Sequence, residues 1–62
     1  MRTYEFQDID QQQVRVQYSG SGGIRIYLEK DNKESGHLHL TLRQAVILAE
    51  AMTELVEMAS AE

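Results

Sequence analysis

The chain contains no cysteine. Disulfides and thiolate metal sites are therefore excluded, and the absence fits a reducing compartment. No stretch approaches 18 consecutive apolar residues, so no segment reads as a membrane-spanning helix. The first ten residues, MRTYEFQDID, hold no apolar h-region, and no signal peptide is expected. A soluble, cytoplasmic protein is the expectation. Positive charge is scarce as well: 6 Lys and Arg stand against 10 Asp and Glu, for a net charge of −4. That balance disfavours binding to nucleic acid or an anionic membrane through bulk electrostatics. It leaves room for a local basic face. No internal repeat of 20 residues or more occurs.

With 62 residues the chain reads as one domain, residues 1–62. A domain this short buries only about 60% of the surface its unfolded chain exposes. Small domains usually add a disulfide, a metal or a partner subunit. With cysteine absent, self-association is the expected supplement.

Four segments alternate with the period of a half-buried strand. Thr3–Gln7 sets Tyr4 and Phe6 against Thr3, Glu5 and Gln7. Residues 8–12 read as a turn, with Ile9 tucked under it. Gln13–Tyr18 sets Val14, Val16 and Tyr18 against Arg15 and Gln17. The run Ser19-Gly20-Ser21-Gly22-Gly23 follows. It reads as a hairpin loop, because glycine supplies positive φ without steric cost. A phosphate-cradling loop would need a lysine in register and a following helix, and neither is found there. Gly23–Lys30 sets Ile24, Ile26 and Leu28 against Arg25, Tyr27 and Glu29. The cluster Asp31-Asn32-Lys33-Glu34-Ser35-Gly36 then reads as a polar turn. Its acidic positions are out of register for a calcium loop. His37–Leu40 completes the alternation, Leu38 and Leu40 inward, His37 and His39 outward.

The last third carries the longest apolar pattern. Thr41 and Gln44 have capping-box spacing, which predicts a helix starting at Leu42 and running to about Ala59. Leu42, Ala45, Leu48, Ala49, Met52, Leu55, Val56 and Ala59 share one wide apolar face. Ile47, Ala51 and Met58 form a second, thinner stripe. Arg43 near the start and Glu57 near the end oppose the helix dipole, so packing must hold this helix.

The fold class implied is α+β: a four-stranded antiparallel β-meander with one C-terminal α-helix packed on one face. The strands lie near 3–7, 13–18, 23–30 and 37–40, and the helix near 42–59. In meander order, Arg15, Arg25, Tyr27, His37 and His39 fall together on the face away from the helix. One reading is a solvated sheet face with Arg and Glu paired across strands. The other is a binding surface for a nucleic acid or an acidic partner.

His37 and His39 point to one side of one strand, as a two-ligand metal site would require. A structural zinc needs four ligands and spacing indicates no third, so neither a metal nor another cofactor is expected. No nucleophile–base pair stands out, since Ser19, Ser21, Ser35 and Ser60 fall in loops or the tail, and the chain reads as a non-enzyme. Three functional readings remain. The first is a small homodimeric interaction or regulatory protein, with Ile47, Ala51 and Met58 at the interface. The second is a nucleic-acid-binding module using Arg15, Arg25 and Tyr27. The third is an acidic inhibitor or adaptor that presents Glu50, Glu54 and Glu57 to a basic protein.

Overall fold

The structure is a computed structural model that describes residues 2–61. Strands β1 (Thr3–Gln7), β2 (Gln13–Tyr18), β3 (Gly23–Lys30) and β4 (Lys33–Thr41) precede a single helix, α1 (Leu42–Ser60). The strands form one sheet in the order β1-β2-β3-β4, and every neighbouring pair is antiparallel. This is the α+β meander with a C-terminal helix that the alternation implies.

Each connection has a local cause. Between β1 and β2, the Asp8 carboxylate accepts from the backbone N–H of Asp10 at 2.9 Å and of Gln12 at 2.8 Å. This aspartate turn carries the chain through Gln11, which sits at φ 64°. Ile9 does not tuck under the turn. It is 97% exposed at the tip, because Asp8 closes the loop on itself through its own hydrogen bonds. The β2–β3 hairpin is closed by Ser19 N–H donating to the Gly23 carbonyl at 2.9 Å. Gly20 and Gly22 take φ of 83° and 85° there.

The β3–β4 connection is shorter than the polar cluster implies. Lys30 pairs with Lys33, leaving only Asp31 and Asn32 in the turn, at φ 55° and 63°. Positive φ at both central residues is the signature of a type I′ hairpin turn, which suits the right-handed twist of its strands. Strand β4 therefore begins at Lys33 rather than His37. The register shifts between Leu28 and Glu29, which face Gly36 and Glu34. Ser35 is thus the extra residue of a bulge. It lies within the strand and not in a loop, its hydroxyl donating to Gln12 Oε1 at 2.7 Å.

The helix starts where the capping box places it. Thr41 Oγ1 accepts from Gln44 N–H at 3.1 Å, and Gln44 Oε1 accepts from Thr41 N–H at 3.0 Å. Thr41 is at once the N-cap and a β4 residue paired with Gly23, so no loop residue separates strand from helix. A nine-residue strand is about 30 Å long and a 19-residue helix about 28 Å. The longest extent of the molecule is 36 Å, so the chain turns sharply at this junction.

That junction limits the cover the helix gives the sheet. Helix α1 touches only β4 and β3, and Ala45 and Leu48 are its only half-buried residues. On the apolar sheet face Tyr4, Phe6 and Leu38 are all more than half exposed. Among the described residues Val14, 6% exposed, is the only buried apolar side chain. The expected core, a sheet face roofed by the helix of the same chain, is therefore assembled only in part. The physical reason is the missing loop. A helix lying back across a sheet sits about 10 Å above it, and strand–helix connections that allow this take two or more residues.

Candidate interaction surfaces

Two surfaces carry the residues singled out by the sequence. The polar face of the sheet is built by cross-strand register. One row runs Glu5–Arg15–Tyr27–His37 and the next Thr3–Gln17–Arg25–His39. Arg15, Arg25, Tyr27, His37 and His39 therefore lie together on three consecutive strands. The Tyr27 and His37 rings stack with centroids 5.0 Å apart and planes within 5°. The Arg15 guanidinium sits 5.6 Å from the Tyr27 centroid, within reach of a cation–π attraction. Arg15 also pairs with Glu29. Arg25 Nη1 donates to Tyr27 Oη at 3.3 Å, while Arg25 Nε is buried with no hydrogen-bond partner.

The two histidines have different neighbours. His37 rests on Tyr27. The His39 ring leans over Gly23, where a Cβ would approach Nε2 to 2.7 Å. Among the described residues no three His, Asp or Glu side chains converge in metal-binding geometry. Sequence reasoning placed His39 on this face but missed the role of Gly23. The hairpin reading of Ser19–Gly23 masked it, since Gly23 looked like one more turn glycine, yet its φ is not among the positive ones.

The second surface is apolar. With about 100° between successive residues, Arg43, Glu50, Glu54 and Glu57 occupy a narrow arc of about 60°. The two apolar stripes flank that arc and together take up most of the remaining circumference. Two polar residues on this wide side are satisfied within the helix: Gln44 by the cap, and Thr53 by donating its hydroxyl to the Ala49 carbonyl at 2.9 Å. Ile47, Met52, Leu55, Val56 and Met58 are all exposed. A helix apolar nearly all round belongs between two packing surfaces, and α1 has part of one. No described helix is long and apolar enough to cross a membrane.

The molecule as a whole shows the same deficit. Its accessible surface is 5310 Å², whereas a compact monomer of 7.1 kDa exposes about 4,100 Å². Its radius of gyration is 13.1 Å, against about 11 Å for a compact chain of this length. Comparison with family models, with curated proteins and with solved structures finds no match.

Proposed function

We propose that the chain is a small, non-enzymatic homodimeric interaction or regulatory protein. The observation that carries this reading is the single buried apolar residue, Val14, in a chain with apolar faces on both its sheet and its helix. Ordering one residue costs about 1–2 kcal/mol of backbone entropy, and burying one large apolar side chain returns about 1.5–3 kcal/mol. With Val16, Ile24, Ile26, Leu28, Leu40 and Leu48 only half-buried, much of the available burial is not taken up within the chain, and no disulfide is available to help. A second copy supplies the missing burial, as in obligate dimers whose monomers have little stability of their own. Ile47, Ala51 and Met58 form the stripe farthest from the half-buried Ala45 and Leu48, which suits them to meet a second subunit. Light scattering on Ile47→Asp combined with Met58→Asp tests this. The expected result is loss of the dimer and a fall in thermal stability. A variant that remains dimeric removes these residues from the interface.

A second reading takes the polar sheet face as a binding surface for anionic groups. It is favoured by Arg25, whose buried Nε lacks a partner, and by the Tyr27–His37 stack. Arginine binds phosphates and guanine edges, and an aromatic ring stacks on bases. Titration of a labelled single-stranded oligonucleotide at low salt tests it. Binding abolished by Arg15→Ala with Arg25→Ala supports the reading, and no binding by the native chain removes it.

A further inference from the structure

Both uncovered apolar surfaces of this chain need an occupant, and each has the chemistry the other requires. The apolar sheet face is formed by the rows Tyr4–Val16–Ile26–Leu38 and Phe6–Val14–Leu28–Gly36, with Tyr18, Ile24 and Leu40 at the end nearest α1. None of these residues is charged, and at the edge Arg2 Nη1 donates to Tyr4 Oη at 3.4 Å. The major helix arc, centred on Leu48, Met52 and Leu55, is equally free of charge. Joining two such surfaces strands no ionised group in the interior, which is the costliest error an interface can contain.

The chain's own helix fills that role only near its start, where Ala45 and Leu48 are half-buried. Thr41 is held in the sheet by its pairing with Gly23, and it simultaneously caps α1. Freeing the helix to fold back would break either the last β4 pairing or the first helical turn. A helix fixed in this way is available to a neighbour.

We infer that the apolar sheet face of each chain is covered by the α1 helix of a second copy, reciprocally, with the exposed arc of Met52, Leu55 and Val56, past the turn where Leu48 is half-buried, seated on Phe6, Val16 and Ile26. This rests on the homodimer reading above and deepens it. Reciprocal exchange is the self-complementary contact that a two-fold axis requires. Two areas agree with it. The chain exposes about 1,200 Å² more than a compact monomer of its mass, and a standard stable interface buries about 800 Å² per partner. A second copy fits the dimensions as well. Strand β3, eight residues, is about 27 Å long, close to the 28 Å or so of α1. With the major arc on the neighbouring sheet, Ile47, Ala51 and Met58 are left to meet the other helix about the axis. The acidic arc of Glu50, Glu54 and Glu57 stays in water.

The test is an isotope-filtered NOE experiment on a dimer reassembled from equal amounts of ¹³C-labelled and unlabelled full-length chain, with the mass of the same sample checked by sedimentation. The expected result is intermolecular NOEs from the methyls of Met52, Leu55 and Val56 to the Phe6 ring and to the methyls of Val16 and Ile26. A dimer whose intermolecular NOEs join only helix to helix, or only strand edges, overturns the reciprocal arrangement and leaves the homodimer standing. A stable folded monomer overturns both.

Discussion

At Gly20 and Gly22 the backbone itself selects the residue. Both have positive φ, and a Cβ at either position would meet nothing within 4 Å. Substitution there is therefore resisted by conformation alone. Gly20→Ala or Gly22→Ala should each destabilise the protein by about 1–2 kcal/mol, read as a lower denaturant midpoint at unchanged slope. Gly23 is constrained for a different reason, since its hydrogen leaves room for the His39 ring. Gly23→Ala should displace that ring, visible as a shift of the His39 imidazole resonances with those of His37 nearly unmoved. The Arg15–Glu29 pair is a third of the way to full exposure on both sides, and a pair so placed contributes little, about 0–1 kcal/mol. Glu29→Gln should leave stability nearly unchanged at physiological salt.

At the scale of elements, the alternation of apolar and polar residues was sufficient to locate four strands, their faces and the start of α1. Sheet register follows from the short loops, and Arg15, Tyr27 and His37 fall in one row as the pattern implies. The start of β4 was hidden because Asp31 and Asn32 carry a turn usually built with glycine, while Gly36, which resembles a turn residue, lies inside the strand opposite Leu28. The partial cover of the sheet was hidden for another reason. Periodicity tells which side chains are apolar, and the element that buries them depends on the junction. Here Thr41 serves strand and helix together, and no residue is left for a loop. Thr41→Ala should cost about 1 kcal/mol through loss of the cap. The helix also lacks an acidic residue in its first turn and a basic one in its last. Arg43→Glu should stabilise by about 0.3–1 kcal/mol at low ionic strength, with the gain shrinking as salt is added.

At the scale of the whole molecule, most apolar side chains of both the sheet and the helix are left exposed or half-buried. A single sheet layer, a helix apolar over most of its circumference and one buried valine do not amount to a stable core. A dimer of the kind proposed would close that deficit, and folding and association should then be one process. The thermal midpoint should then rise with protein concentration, as linkage requires for a native state formed from two chains. The central claim is tested most directly by sedimentation equilibrium of the full chain across the micromolar range. The expected result is a species of twice 7.1 kDa, dissociating only with loss of helical circular dichroism. A species of 7.1 kDa that keeps its helix and sheet throughout that range would contradict it.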